Sequence, residues 1–351
     1  MAVKGNYKRI KKLVKTALSA NLPVLILGHP GCGKSTMAKE LAQEFGLPLI
    51  DIRLAHEDPA ELTGVRVPDK DTSKLVVYVP DWVPTDKPVF LFLDEINAGV
   101  TKLHQACAYQ IVLDRRAKSV PFHPETKVMA AGNLEEDNAI VTPLSQALNN
   151  RFVHFELVPD VDCWLDWAKN AGITPVTRAY IAFRGIKGLY NNTGERAFPS
   201  PRSIEMADKV YREAKKAGLK KDEIRDLIAA CIGQGDAVQF IAFEEIYSEI
   251  KIEDVVKTGI IPKNGEVSFL YALTFGVASF VRDKLSPKDI RKYEHGLTRF
   301  ATSIPREYLV LFVREIADKS NIFNAIVEIF MKNKELLKEI DIIQESIKNF
   351  E

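Results

Sequence analysis

The sequence predicts an α/β fold, in which helices cover a parallel five-stranded sheet as an αβα sandwich and an all-helical part follows. Up to about residue 157, short apolar runs alternate with longer amphipathic ones, as in parallel sheets wrapped by helices. After Pro159 the apolar runs stop and helical periodicity takes over. The predicted strands, each bounded by Gly, Pro, Asn or Asp, are residues 24–27, 49–52, 89–93, 128–131 and 153–157.

The remaining segments predict a three-part organisation. A chain of 351 residues has room for two or three domains of roughly 150 residues. We expect a core over residues 1–159, a helical lid over 160–250 and a helical extension over 251–351. Apolar residues at helical spacing predict helices over 161–170, 175–185, 202–216, 221–247 and much of 267–350.

Two segments of the first part differ from this alternation. Basic residues between Lys4 and Lys15 alternate with apolar ones at helical spacing, which predicts an amphipathic helix with a solvated face. The irregular stretch 55–87 contains one β-prone run, residues 75–79. Its length is typical of a functional or mobile segment, although a passive surface excursion is the alternative.

The bulk composition excludes several classes of protein. With 46% hydrophobic and 27% charged residues, the chain has the composition of a globular protein. Lys plus Arg number 48 against 47 Asp plus Glu, so a formal net charge of +1 provides no basic field for nucleic acid. No stretch approaches the ~20 apolar residues of a membrane span, and a signal peptide is not evident. We therefore expect a cytoplasmic protein with no membrane partner, and the balance of charges argues against a nucleic-acid partner.

Cysteine and histidine spacing predicts no transition-metal site. The cysteines lie far apart without a CxxC pair, which suits a reducing compartment and predicts neither a zinc site nor a disulfide framework. The six histidines also lack metal-ligand spacing. We expect the thiols to be buried or incidental; they are Cys32, Cys107, Cys163 and Cys231.

A glycine-rich loop between an apolar strand and an amphipathic helix has the pattern GxxxxGK[ST]. Its glycines let the backbone curl around phosphate oxygens, and the following helix N-terminus directs N–H groups at them. Lys34 would neutralise the β and γ charges, and Ser35 would reach Mg²⁺. A chance glycine turn would not explain the strand before the loop and the helix after it. The predicted nucleotide-binding residues are Gly28, His29, Pro30, Gly31, Cys32, Gly33, Lys34, Ser35 and Thr36.

A second motif follows the apolar run 89–93, which ends in Asp94 and Glu95. Ligands of parallel sheets lie at the carboxyl ends of the strands, so both carboxylates would face the nucleotide. Asp94 would hold Mg²⁺ through water, and Glu95 would orient and polarise the attacking water. Alone, this pattern is weak, because acidic residues also cap helices. Its place downstream of a complete glycine-rich loop makes it specific.

The nucleotide base is predicted from a missing motif. Guanine-specific sites carry NKxD, whereas the only Asn-Lys pair here, Asn333-Lys334, is followed by Leu336 at the fourth place. The sequence therefore favours ATP.

Together these motifs resemble the MoxR-like branch of AAA+ ATPases, a dynein-related group, over nearly the whole chain. The resemblance implies ATP and Mg²⁺ as ligands and a P-loop ATPase core before the helical lid and extension. It also implies that Asn133, at the end of the run 128–133, is sensor 1, which contacts the γ-phosphate and the water. Taken alone, Asn133 could be an ordinary turn residue.

The resemblance further implies roles for two arginines. The segment 143–152 is similar to the family's helix ending in an Arg-Phe pair, which implies that Arg151 is an arginine finger acting on a neighbour's γ-phosphate. Arg151 could instead cap a helix C-terminus, and Arg116 is the substitute candidate for the finger. The segment 198–203 is similar to sensor 2, with Arg202 reaching the nucleotide from the lid helix; a surface arginine is the alternative.

The implied function is that of a ring-forming chaperone or remodelling ATPase, a hexamer acting on a partner protein. For this family the resemblance implies a partner with a von Willebrand factor A-like domain. Residues 57–64 resemble the opening of the family's helix-2 insert, to which we assign no catalytic residue. Two alternatives remain: an ATP-driven nucleic-acid motor, and a nucleotide-dependent switch with slow hydrolysis. The predicted catalytic residues are Glu95, Asn133, Arg151 and Arg202.

Overall fold

The computed structural model describes residues 2–71, 74–137, 141–262 and 266–337. The chain forms two units: the first comprises Met1–Cys163 with Ser200–Arg202, and the second comprises Trp164–Pro199 with Ser203–Glu351. The division into a core, a lid and an extension at residues 159 and 250 stays a prediction.

The first unit contains all the strands of the described residues. In chain order they are β1 Val3–Gly5, β2 Val24–Gly28, β3 Leu49–Arg53, β4 Val65–Pro68, β5 Leu75–Tyr78, β6 Phe90–Asp94, β7 Arg116–Ala117, β8 Val120–Pro121, β9 Lys127–Gly132 and β10 Val153–Leu157. Six of them form a parallel sheet in the order β1-β10-β2-β9-β6-β3. The predicted αβα fold with its five parallel strands is confirmed.

The sixth strand, β1, was not predicted. It has only three residues and no apolar run, and it pairs with β10 at the edge of the sheet. The predicted N-terminal helix therefore begins later than Lys4, which lies in β1. The helix begins at Tyr7, and Asn6 caps it by accepting a hydrogen bond from the Arg9 N–H with its side chain.

Apolar residues pack on both faces of the sheet because successive side chains of a strand point to opposite sides. Val24 and Ile26 of β2 enter a cluster with Met37, whereas Leu25 enters a second cluster with Ile111. The helices of this unit are α1 Tyr7–Ser19, α2 Lys34–Phe45, α3 Pro59–Thr63, α4 Lys102–Tyr109 and α5 Gln146–Asn149, with a π-helical turn at Gln110–Asp114. This packing fixes the strand ends that carry the predicted motifs.

The segment predicted to be irregular contains a hairpin. Strands β4 and β5 pair antiparallel outside the main sheet, so the β-prone run is confirmed as a strand. A second, two-residue hairpin joins β7 to β8. Both hairpins lie in the connections on either side of β6.

All the regular secondary structure in the described part of the second unit is helical. Its helices are α6 Val161–Asn170, α7 Pro175–Arg184, α8 Ile186–Leu189, α9 Pro201–Lys216, α10 Lys221–Ile232, α11 Gln234–Glu249, α12 Ile252–Thr258, α13 Val267–Lys284, α14 Pro287–Lys292, α15 Glu294–Ser303, α16 Arg306–Ile316 and α17 Ser320–Phe330; α6 and α9 begin with residues of the first unit. The predicted helix 221–247 is in fact two helices, because Gly233 with φ 88° ends α10. Residues 338–350 of the last predicted helical region lie outside the described residues. None of the helices in the described ranges has the length and apolarity that crossing a bilayer requires.

Candidate functional site

The glycine-rich loop joins the end of β2 to the start of α2, as predicted. Gly31 and Gly33 have φ values of 75° and 98°, in the left-handed region that favours glycine. Gly33 immediately precedes α2, a helix of 12 residues. The first N–H groups of a helix have no partner within it, so the loop and this helix N-terminus have the geometry of an anion-binding site.

Lys34 lies at the centre of this site and is only 8% exposed. Its Nζ donates to Gly28 O at 2.6 Å, to His29 O at 3.0 Å and to Asn133 Oδ1 at 3.1 Å. Burial lowers the pKa of Lys34, and the nearby Asp94 carboxylate opposes that shift. The structure thus places the predicted phosphate-binding lysine beside the predicted sensor asparagine.

Asp94 ends β6 beside the loop. Ser35 Oγ donates to Asp94 Oδ2 at 2.9 Å, and the Glu95 N–H donates to Asp94 Oδ1 at 2.9 Å. A hydroxyl and a carboxylate are the oxygen ligands that Mg²⁺ prefers, so this pair fits the predicted metal. Glu95 has φ 54°, a conformation uncommon outside glycine, and so turns the chain sharply at the strand end.

Asn97 was missed by the sequence reasoning. It is 5% exposed, its Nδ2 donates to Asn133 O at 2.8 Å, and its Oδ1 accepts from the Asn133 N–H at 3.0 Å. The only sequence signal was an asparagine two positions after Glu95. An asparagine at this position does not by itself indicate a contact with Asn133, which becomes apparent only in the folded structure.

A second missed contact holds His29 in the loop. Its Nδ1 lies 2.6 Å from Asp137 Oδ1, and the Asp137 side chain is almost completely buried. The two residues are 108 positions apart, so no local pattern could have indicated the pair. The contact joins the loop to the segment that follows Asn133.

The two candidate finger arginines differ in their surroundings. Arg151 follows α5, is exposed, and has its guanidinium carbon 6.0 Å from the centre of the Tyr109 ring. It lines an open cleft of about 710 Å³ with Phe152 and residues of α5. Arg116 is held by Asp114 at 2.9 Å. Arg116 is therefore paired with a carboxylate, whereas the guanidinium of Arg151 has no acidic partner among the described residues.

Arg202 belongs to the short segment Ser200–Arg202 of the first unit. It is exposed, and a Cβ on Gly31 would lie 3.1 Å from the Arg202 Cβ. Its charge contributes to the lowered pKa of Lys34. The structure therefore places the predicted sensor 2 arginine beside the glycine-rich loop.

The structure thus brings together predicted site residues that lie far apart in the sequence, such as Lys34 and Asn133, which are 99 positions apart. Hydrogen bonds join Lys34 to Asn133 and Ser35 to Asp94. The catalytic and binding roles assigned to these residues stay predictions.

Comparison with known proteins finds a family match for part of the chain. Residues 24–158 match the model of the ATPase family associated with various cellular activities (AAA), so this part of the chain carries an AAA-family domain. Over 152 residues the chain is 30% identical to midasin of Giardia intestinalis, a stretch that is 41% of this chain and 3% of midasin. Over 75 residues it is 32% identical to the replication factor C large subunit of Methanococcus aeolicus, covering 21% of this chain and 14% of that subunit. The chain thus spans a small part of the length of each relative.

A solved structure of a candidate ATPase from Cytophaga hutchinsonii aligns with 90% of each chain at 15% identity and a TM-score of 0.37. That similarity is too low to carry an argument.

Proposed function

We propose that this protein binds ATP with Mg²⁺ and hydrolyses the γ-phosphate, as a member of the AAA+ class. The observation that carries the proposal is the contact between Lys34 Nζ and Asn133 Oδ1, 3.1 Å long. It joins the loop that would bind the phosphates to the residue that would contact the γ-phosphate. The AAA-family match over residues 24–158 supports the same chemistry.

Each residue would act where charge develops during phosphoryl transfer. Lys34 would neutralise the β- and γ-phosphates from the N-terminus of α2. Ser35 and Asp94 would hold Mg²⁺, which supplies further positive charge to the phosphates when bound. Glu95, just beyond the metal site, would orient the attacking water, and Asn133 would contact the same water and the γ-phosphate.

The test is phosphate release from ATP and, separately, from GTP with Mg²⁺ present. We expect the unaltered protein to release phosphate from ATP and the Lys34→Ala variant to release none. Lys39→Ala is the matched control, because Lys39 lies on the same helix α2 but is exposed. Equal turnover by the Lys34→Ala and unaltered proteins would contradict the proposal.

We further propose that the protein is a MoxR-like, ring-forming remodelling ATPase, a hexamer whose client is a protein, with a von Willebrand factor A-domain protein as the expected partner. The exposed guanidinium of Arg151 supports a role in another subunit's site, since it has no acidic partner among the described residues. An arginine supplied in trans stabilises transition-state charge and couples hydrolysis to assembly. The test is whether ATP assembles the protein, measured as solution mass.

A nucleic-acid motor is the second candidate. The partial similarity to the replication factor C large subunit favours it, whereas a net charge of +1 argues against it. ATPase stimulation by single- or double-stranded DNA would decide between a nucleic-acid client and a protein client.

A further inference from the structure

We propose that Asn97 is a positioning residue of the ATPase site, which fixes the backbone of Asn133 relative to Glu95. The inference rests on the proposed function and adds to it a residue that neither the motifs nor the family resemblance assigns. Asn97 would touch neither ATP nor the water; it would act through Asn133.

One amide of Asn97 satisfies both backbone polar groups of a single residue. Its Nδ2 donates to Asn133 O at 2.8 Å, and its Oδ1 accepts from the Asn133 N–H at 3.0 Å. A side-chain amide has both a donor and an acceptor, so it can form this pair where a carboxylate or hydroxyl could not do so equally well. Because Asn97 is only 5% exposed, water cannot readily replace it.

The two hydrogen bonds between Asn97 and Asn133 lie just beyond the point where the strand pairing of β9 ends. On one side of β9, the register with β2 ends at Gly132. On the other side, the register with β6 ends at Ala130, and the Ile96 N–H continues it to Ala131 O at 2.9 Å. The Asn97 amide extends this pairing to Asn133, the first residue beyond β9. The side chain of Asn97 thereby supplies hydrogen bonds that a neighbouring strand would otherwise supply to the backbone of Asn133.

The residue that Asn97 holds is also the one that contacts the loop. Asn133 Oδ1 accepts from Lys34 Nζ at 3.1 Å, and the orientation of that side chain depends on its backbone. Asn97 itself follows Glu95 by two positions, after the sharp turn that Glu95 makes. A shift of Asn97 would therefore change the spacing between the water-activating carboxylate and the sensor asparagine.

Two further features of the structure concern the position of Asn97. A Cβ on Gly132 would lie 2.6 Å from Asn97 Oδ1, so the amide occupies space that only a glycine leaves open. The carbonyl of Asn97 accepts from the Thr142 N–H at 2.7 Å. Gly132→Ala would thus displace the amide of Asn97 without altering its chemistry.

The experiment compares Asn97→Ala and Gly132→Ala with the unaltered protein. For both variants we expect kcat to fall about 10- to 100-fold, because small misplacements of reacting groups are costly. The affinity for ATP should stay within about threefold, since the loop and Lys34 are retained. Binding of a fluorescent ATP analogue and steady-state phosphate release measure the two quantities separately. Circular dichroism melting identifies a temperature at which every variant is folded.

Gln110→Ala is the matched control. Gln110 Nε2 donates to Lys118 O at 3.4 Å, and Gln110 Oε1 accepts from the Lys118 N–H at 3.2 Å, so it makes the same pair of bonds elsewhere in the unit. We expect this variant to melt at a lower temperature and to keep its kcat.

Three outcomes would overturn the inference. If Asn97→Ala and Gly132→Ala keep the kcat of an active unaltered protein, the positioning role is wrong while the proposed function stands. If Gln110→Ala loses as much kcat as they do, general loosening explains the result and the role is again wrong. If the unaltered protein releases no phosphate from ATP, the proposed function fails and the inference fails with it.

Discussion

Lys34 and Asn133, 99 positions apart in the chain, meet through a hydrogen bond of 3.1 Å between the ammonium and the side-chain carbonyl. The contact joins a helix N-terminus to a strand end, the two places where an α/β sheet binds phosphate. The proposed roles of the two residues, phosphate binding by Lys34 and contact with the γ-phosphate by Asn133, can be tested independently. Lys34 has further acceptors in Gly28 O and His29 O, so the loop does not depend on Asn133 for its lysine.

We predict that Asn133→Ala lowers kcat about 100-fold and leaves ATP affinity nearly unchanged. The reason is that a polar group acting on developing transition-state charge contributes to kcat rather than to ground-state binding. Steady-state phosphate release and analogue binding measure the two effects. A large loss of affinity at unchanged kcat would show that Asn133 serves binding instead.

We predict that Glu95→Gln lowers kcat at least 100-fold while ATP still binds, because the amide keeps the size of the carboxylate but cannot act as a base. The trapped ATP state should then assemble into a larger particle, measured as solution mass by light scattering with and without ATP and Mg²⁺. Lys34→Ala, which lacks the phosphate-binding charge, is the control. Persistence of a monomer with ATP bound at every concentration would favour the nucleotide-dependent switch.

We predict that Arg151→Ala lowers kcat strongly and that Arg116→Ala does not, because Arg116 is already paired with Asp114. If Arg151 acts on a neighbouring subunit, mixing inactive Arg151→Ala with inactive Lys34→Ala should restore part of the activity. In the mixture, some intact sites then receive an intact arginine from the neighbour. Phosphate release from the mixture, compared with each variant alone, measures this. Absence of recovery in mixed assemblies would exclude a role in trans.

We predict that Glu315→Gln lowers the free energy of unfolding by about 3 kcal/mol, because it leaves the charge of Arg178 buried without its counterion. The two side chains are 2.9 Å apart and only 3% and 5% exposed. Urea unfolding followed by circular dichroism measures the change. Glu294→Gln is the control, since its pair with Lys332 is exposed and worth at most about 1 kcal/mol. Equal effects of the two variants would contradict the assignment of a stabilising buried pair.

We predict that Cys163 alkylates slowly at neutral pH. Burial raises the pKa of its thiol to about 11, and only the thiolate reacts. The rate of modification by iodoacetamide, followed by mass spectrometry of the peptide that contains Cys163, should therefore keep rising until about pH 11. A profile that levels off near the ~8.5 of a free cysteine would contradict the prediction.

Most of the sheet and the glycine-rich loop could be predicted because their signals are local. Five strands are apolar runs that end in turn residues, and the loop carries its glycines at fixed spacing. The edge strand β1 lacks such a run, since it has three residues and is held by pairing with β10. The break at Gly233 was missed because one glycine in a helical pattern is often tolerated.

What the sequence by itself determined is therefore local: which segments form strands, which form helices, and which residue types lie at the strand ends and in the loop. Only the tertiary structure decided which distant side chains meet, as with Asn97 and Asn133, 36 positions apart, or His29 and Asp137. The physical reason is that periodicity and backbone preference act over a few residues, whereas a hydrogen bond between strand ends depends on the order and register of the whole sheet. In this sheet, the order β2-β9-β6 places the loop beside the strand that ends before Asn133, with the Asp94–Asn97 segment on its other side.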